Sequence, residues 1–203
     1  MSILFWSGGK DAYLALNYYL QTYDDSPTLL TTFDKNSGVV PYQNIPIETI
    51  EEQAKQLQLP LKTVGLPPKA SNKEYMTCIT HVIDEVSKSG NDIGFDNERE
   101  IGSESYNRLI FGDWHLEDIR IWREQQFGSI GYSCLFPIWN KPIDELLSFL
   151  ETLPATVFIN NINTLFKPYI STGEKYDRTF VDNLPRHLDP MGENGEFHTL
   201  VTF

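Results

Sequence analysis

Apolar residues recur along the chain in short runs that alternate with stretches of helical periodicity. Four runs of apolar or β-branched residues predict buried strands at residues 3–6, 29–33, 61–64 and 109–111. Apolar positions three or four residues apart predict helices over residues 11–23, from Pro46 to Leu57, and over residues 73–88 and 116–127. Gly90 and Gly128 follow the last two helices and are expected to end them.

Strands that alternate with helices predict βαβ units, and therefore a mostly parallel sheet with helices on both faces. The pattern changes after Phe136, where a helix over residues 142–150 and strands over 155–159 and 198–203 are predicted. We therefore expect an α/β fold in which residues 1–130 form the sheet domain and residues 131–203 a smaller α+β lobe. The polar segment 90–106 is expected to be an exposed excursion before the fourth strand.

Composition and charge narrow the classes of function. Of 203 residues, 40% are hydrophobic and 22% charged, which is ordinary for a globular protein. The 16 Lys and Arg against 28 Asp and Glu give a net charge of −12, which argues against nucleic-acid binding and against a polybasic membrane anchor. Cys78 and Cys134 form no CxxC motif, and no signal peptide or membrane-spanning run is evident, so a cytoplasmic location is expected.

The sequence Ser-Gly-Gly-Lys-Asp, residues 7–11, lies between the first strand and the first helix. Glycines allow backbone N–H groups to approach an anion, and the start of the helix adds the positive end of its dipole. Ser7 can donate a hydroxyl, Lys10 supplies charge, and Asp11 can take a hydrated Mg²⁺. The loop matches neither GxxxxGK[ST] nor GxGxxG, and a plain glycine turn with a capping aspartate is the structural alternative.

This loop resembles the pyrophosphate loop (PP-loop) of the N-type ATP pyrophosphatases. Four further stretches resemble the diphthine–ammonia ligase (diphthamide synthase) family, especially its short bacterial-type branch. They are TTF at residues 31–33, FGDWHLEDIRIWRE at 111–124, FPIW at 136–139 and DPMGENGEFHT at 189–199. The resemblance therefore covers nearly the whole chain.

The resemblance implies a HUP-type (Rossmann-like) ATP-binding domain over residues 1–130 and a substrate lobe over residues 131–203. It implies an ATP- and Mg²⁺-dependent ligase in which a carboxylate attacks the α-phosphate, pyrophosphate leaves, and ammonia then displaces AMP. The implied acceptor is a small carboxylic acid or a modified-histidine side chain on elongation factor 2. Ammonia is expected to come free or from a separate protein.

The resemblance also implies roles for particular residues. The expected ATP-binding residues are Ser7, Gly8, Gly9, Lys10, Asp11, Thr32, Phe33 and Gly112. The expected catalytic residues are Lys10, Asp11, Asp113, Arg120, Glu193 and Glu196, with Asp11 also a ligand of Mg²⁺. The expected substrate-binding residues are Trp139, Asn194 and His198. Lys10 is expected on an exposed loop, and the turn at residues 192–196 is expected to face that loop across a cleft.

The chain departs from the family pattern at several positions. Ala12 stands where serine is common, Gln43-Asn44 where a histidine-glycine pair is typical, and Met191 where cysteine is common. Trp114-His115 replaces a more usual apolar pair. The first two departures favour an alternative function, a non-catalytic sensor that binds an adenine nucleotide. Arg123 and Glu124 equally fit a solvated helix face, and His198 a structural histidine.

Overall fold

The chain forms a mixed α/β structure in which strands and helices alternate as far as residue 135. The computed structural model describes residues 1–89 and 107–203, so the predicted excursion at residues 90–106 lies outside the described residues. The strands are β1 (Ser2–Phe5), β2 (Thr28–Asp34), β3 (Val39–Val40), β4 (Ile45–Pro46), β5 (Leu61–Leu66), β6 (Arg108–Ile110), β7 (Ser133–Leu135), β8 (Thr156–Ile162) and β9 (Phe197–Thr202). The helices are α1 (Lys10–Thr22), α2 (Ile47–Leu57), α3 (Asn72–Ser89), α4 (Glu117–Gly128), α5 (Ile143–Leu150) and α6 (Arg178–Asn183).

The central sheet is mostly parallel. Strand β1 lies between β2 and β6, β5 pairs with the other edge of β2, and β7 pairs with β6, all in parallel. The short β3–β4 hairpin continues antiparallel from the end of β2 through the pair Asp34 and Val39. The order β5-β2-β1-β6-β7 reverses direction at β1, and such a reversal is where Rossmann-like sheets form a ligand crevice.

Alternate side chains of the strands enter two separate cores. Leu4 and Ile110 pack with α1, α2 and α5, whereas Ile3 and Leu109 pack with α3 and α4. Because successive side chains of a strand point to opposite faces, the sheet is covered by helices on both sides. The continuous apolar runs of β1 and β6 are typical of such doubly covered strands.

The last third of the chain packs on the first of these cores. Strands β8 and β9 form an antiparallel pair, with an irregular register between Ile159 and Asn161. Their side chains Val157 and Val201 belong to the same buried cluster as Leu4. Backbone N–H of Val201 also donates to the carbonyl of Gly8, so β9 is joined to the loop after β1. The division at residue 130 stays a prediction.

The sequence patterns locate the long elements and miss the short ones. The predicted strands and helices occur with bounds that shift by a few residues. The hairpin β3–β4, strand β7 and helix α6 were not predicted from the sequence. No helix among residues 1–89 and 107–203 is both long and apolar enough to cross a bilayer.

Candidate functional site

A cavity of about 880 Å³ opens where β1, β2 and β6 end, at the reversal of strand order. This volume lies in the range of small-molecule sites, about 300–1,000 Å³. Nine of the residues predicted to form the site line it. They are Ser7, Gly9, Lys10, Asp11, Thr32, Gly112, Asp113, Glu193 and His198. Gly192 and Gly195 line the same cavity, so the C-terminal turn and the loop after β1 both contribute to its lining.

Residues of α2 and β9 contact the loop at residues 7–9 and hold its backbone in place. Gly8 has a positive φ of 80°, and a Cβ atom there would lie 2.6 Å from Ile50 Cδ1. Its carbonyl accepts hydrogen bonds from Gln53 Nε2 and from backbone N–H of Val201. Gly8 does not line the cavity, and its predicted part in ATP binding stays a prediction. It shapes the turn, while Ser7 and Gly9 face the cavity.

Lys10 is the first residue of α1 and is buried, with 2% of its surface exposed. The expectation of an exposed lysine is therefore wrong. Its Nζ donates to both carboxylate oxygens of Asp11, at 2.8 and 3.0 Å, and to the carbonyl of Met191. The rings of Tyr176 and Phe197 lie over the same ammonium group, at 5.2 and 5.7 Å. These contacts supply the partners that a buried cation needs.

Gly112 allows the end of β6 to approach the start of α1. A Cβ atom at this position would lie 2.7 Å from the carbonyl carbon of Asp11 and 2.8 Å from the nitrogen of Ala12. Atoms do not pack this closely, so only glycine fits here. The close approach brings Asp113 to the same wall of the cavity as Asp11.

Three carboxylates converge on this wall. Arg123 binds Asp113 with two parallel hydrogen bonds, at 2.6 and 3.1 Å, and both oxygens of Asp11 accept from Lys10. Among the residues that the structure describes, no cation is bonded to Glu193, and its carboxylate accepts from backbone N–H of Trp114 at 3.3 Å. Burial, and after it the negative charge of Asp11, raises the pKa of Glu193 to about 7. The wall therefore favours an added positive charge beside Glu193.

No protein-family model matches the chain, and no curated protein matches it either. The family resemblance seen in the sequence therefore stays a prediction. Within residues 1–89 and 107–203, no three or more His, Cys, Asp or Glu side chains form a group able to hold a metal ion.

Five predicted site residues besides Gly8 do not line the cavity, and their predicted roles stay predictions. They are Phe33, Arg120, Trp139, Asn194 and Glu196. Arg120 pairs with Glu124 at 2.9 Å, and its guanidinium lies 4.7 Å from the ring centre of Trp139. The i,i+4 spacing on α4 therefore produces a surface pair.

Glu196 has a structural environment. Its carboxylate is buried and accepts from backbone N–H of Asp189 at 3.0 Å and of Asn194 at 3.1 Å. It therefore holds the turn that carries Glu193, and it is a positioning residue. Asn194 itself is exposed at the tip of that turn.

Several residues that shape the site were not predicted from the sequence. Arg123 lines the cavity where Arg120 was expected, because the packing of α4 turns that face inward. Thr199 Oγ1 accepts from backbone N–H of Lys10 at 3.0 Å, so a residue of β9 caps α1. His115 Nε2 lies 2.7 Å from Asp189 Oδ2, next to the turn. Tyr42 lies at the rim.

His198 lies on β9 at the side of the cavity that faces the loop. Burial, and after it the positive charge of Lys10, lowers the pKa of His198. The imidazole is therefore favoured over the imidazolium, and a neutral ring can accept a proton.

Proposed function

We propose that this protein is an ATP-dependent ligase that joins a carboxylic acid to ammonia and releases AMP and pyrophosphate. One observation carries the proposal. The loop at residues 7–9, the start of α1 and the C-terminal turn line a single cavity at the reversal of strand order. Open parallel sheets bind nucleotides at this position, and the turn adds polar groups for a second reactant. The sequence resemblance to the diphthine–ammonia ligases supports the same activity.

In this proposal, the phosphates of ATP lie against Ser7, Gly9 and Lys10, and the base lies near Thr32. The first two strands end at this edge, and the cavity extends from one to the other. Positive charge from Lys10 and from the start of α1 stabilises the negative charge that develops on the departing pyrophosphate. Mg²⁺ bound with the nucleotide would add to this charge stabilisation, held beside the carboxylates of Asp11 and Glu193.

The reaction then proceeds in two transfers. An oxygen of the acceptor carboxylate forms a bond to the α-phosphorus as the bond to pyrophosphate breaks. Ammonia next bonds to the acyl carbon, and the bond to AMP breaks. The negative charge of ionised Glu193 attracts ammonium, and neutral His198 can accept a proton from ammonium to give ammonia. The second proton that the nitrogen loses as the amide forms can leave with the phosphate of AMP.

A specific observation favours the second candidate, a sensor that binds the nucleotide without turnover. The Lys10 ammonium already bonds Asp11 and Met191, and backbone N–H of Lys10 bonds Thr199. Two donors that a phosphate loop would offer are thus committed to the protein itself. In a ligase, the phosphates of ATP must replace Asp11, Met191 and Thr199 as hydrogen-bond acceptors of Lys10. A sensor needs only to bind the nucleotide beside these bonds.

Pyrophosphate release separates the two candidates. With ATP, Mg²⁺, ammonia and a panel of carboxylic acids, the ligase releases pyrophosphate in an acid-dependent way, and the sensor only binds ATP. Lys10→Met should lower the rate about 10²- to 10³-fold, whereas Lys55→Met, at an exposed lysine of α2, should leave it unchanged. Because Lys10 is buried, the folded fraction of each variant is measured by circular dichroism. ATP binding with no pyrophosphate from any acid would exclude the ligase.

A further inference from the structure

The rim of the cavity carries a tyrosine in an unusual position. Tyr42 lies in the loop of the β3–β4 hairpin, and 80% of its surface is exposed although it lines the cavity. Its φ is 66°, in the left-handed region that bulky side chains rarely adopt. An aromatic ring kept in water on such a backbone suggests a function for the ring.

The C-terminal part of the chain holds this loop in place. Asn161 Nδ2 donates to the carbonyl of Tyr42 at 2.6 Å, and Asn160 Nδ2 donates to the carbonyl of Gln43. Neighbouring residues of a regular strand point to opposite faces, so both could not reach one loop. The irregular register of β8 between Ile159 and Asn161 makes this possible. Bulges of this kind often redirect side chains beside active sites.

The backbone of this loop explains why Asn44 can stand where the family pattern has glycine. Asn44 has a φ of 55°, and its backbone N–H donates to the carbonyl of Val40 at 3.0 Å. Asparagine adopts the left-handed conformation more readily than most residues, so it can stand where glycine is typical. The loop therefore keeps a tight turn while it presents Tyr42 and Gln43 to the cavity.

The ring of Tyr42 lies on the side of the proposed reaction centre. Its centre is 6.3 Å from the ring centre of His198, and the next residue of β9, Thr199, bonds the start of α1. His198 also interacts electrostatically with both Lys10 and Asp11. Tyr42 therefore borders the part of the cavity that His198 lines, close to Lys10 and Asp11, where an acceptor would meet the α-phosphate.

We infer that Tyr42 recognises the acceptor, and that the acceptor is a carboxylic acid carrying a planar aromatic ring. This inference rests on the proposed ligase function and names its substrate class. Aromatic rings in offset or edge-to-face contact gain more than the burial of their area alone provides. Tyr42 and His198 together present two rings at one rim, and the amide of Gln43 can donate to a carboxylate.

Paired acids test the inference by direct binding. The protein is saturated with Mg²⁺ and a non-hydrolysable ATP analogue, and phenylacetate, imidazole-4-acetate and cyclohexylacetate are titrated with detection by NMR. The two planar acids should bind about five- to tenfold more tightly than the non-planar one. Tyr42→Ala should remove this preference and leave the affinity for the analogue within about twofold. Tyr42→Phe should keep the preference, and so should Tyr169→Ala, at an exposed tyrosine outside the cavity.

The same variants in the pyrophosphate assay separate this inference from the proposed function. If planar and non-planar acids release pyrophosphate equally, the ligase stands and the role of Tyr42 is excluded. If planar acids bind through Tyr42 without any release of pyrophosphate, the ligase is excluded and the ring site stands. A loss of analogue affinity in Tyr42→Ala would show that the ring contacts the nucleotide, which would overturn the inference. Failure of all three acids to bind would overturn it as well.

Discussion

At the scale of single residues, Gly112 is a position of the site where backbone of another element leaves no room for a Cβ atom. An alanine there would place its Cβ atom 2.7 Å from the backbone of α1. Gly112→Ala should therefore cost about 1–3 kcal/mol of unfolding free energy, because the end of β6 must move away from α1. Gly128→Ala is the matched control, since a Cβ atom at that helical glycine meets open space. It should change stability by less than about 1 kcal/mol, and in the stabilising direction.

Urea denaturation of both variants at neutral pH checks this prediction. Equal destabilisation by the two substitutions would show that the contact between Gly112 and α1 does not constrain the fold.

Glu193 should make the stability of the protein depend on pH. Its pKa is raised from 4.5 to about 7 in the folded protein, so folding favours the protonated carboxyl. The unfolding free energy of the parent, relative to that of Glu193→Gln, is highest below pH 4.5. This advantage is lost as the pH rises through about 7. The difference between the two proteins should change over this range by an amount on the order of 3 kcal/mol.

Urea denaturation at several pH values between 4.5 and 8 measures this difference. Glu196→Gln serves as the contrast, because that carboxylate accepts two backbone N–H groups and an amide can replace only one oxygen. Glu196→Gln should have a lower unfolding free energy than the parent at every pH in this range. A constant difference between the parent and Glu193→Gln would contradict the shifted pKa.

The sequence could not decide which arginine of α4 faces the cavity. Arg120 and Arg123 are three residues apart on α4, and both have an acidic partner within reach. The choice depends on how α4 packs, since Arg123 lies over the ring of Phe111 and thereby reaches Asp113. Such a contact between distant residues leaves no periodic signal in the chain.

At the scale of elements, β9 is tied to the start of α1 by one side chain. Thr199→Val keeps the shape of the side chain and removes the acceptor of backbone N–H of Lys10. The loss should cost about 1–2 kcal/mol of unfolding free energy, because this N–H is buried. Thr202→Val, on the exposed end of the same strand, should change stability by less than about 0.5 kcal/mol.

Thermal and urea unfolding of the two variants provide the measurement. Hydrogen exchange of the Lys10 amide gives a local readout, because it should accelerate only in Thr199→Val. Unchanged exchange would mean that the N–H finds another partner.

Long elements are predictable because their periodicity repeats several times. Helix α3 has eighteen residues and was predicted to within one residue at each end. The hairpin strands β3 and β4 have two residues each and β7 has three, which is too few to establish an alternation. Strand β3 forms by pairing with β2, and strand β7 by pairing with β6, so both depend on a sheet that is already assembled. The rim loop with Tyr42 was missed for the same reason.

At the scale of the whole molecule, one apolar cluster joins both predicted parts. It contains Leu4 and Leu16 from the first part and Ile159 and Val201 from the last. Because these residues share one core, we expect a single cooperative unfolding transition. Near-ultraviolet and far-ultraviolet circular dichroism should give the same midpoint in urea. Two separated transitions would instead favour two independent domains with a boundary near residue 130.

The mostly parallel sheet and the edge at which the cavity opens could be predicted from the sequence, whereas the burial of Lys10 could not. A glycine turn after each of two buried strands places both turns at one edge of a parallel sheet. Burial of Lys10 depends on Met191, Tyr176 and Phe197, which come from the irregular last third of the chain. No local pattern near Lys10 encodes those partners.

The bond between Lys10 and Thr199 joins residues 189 positions apart. A chain emerging from the ribosome completes its parallel sheet long before it has made β9. During that interval the start of α1 lacks its cap and the Lys10 ammonium lacks the carbonyl of Met191. The cavity is therefore completed only after β9 has been made, and nascent chains stalled before residue 199 should contain a folded sheet with an open loop.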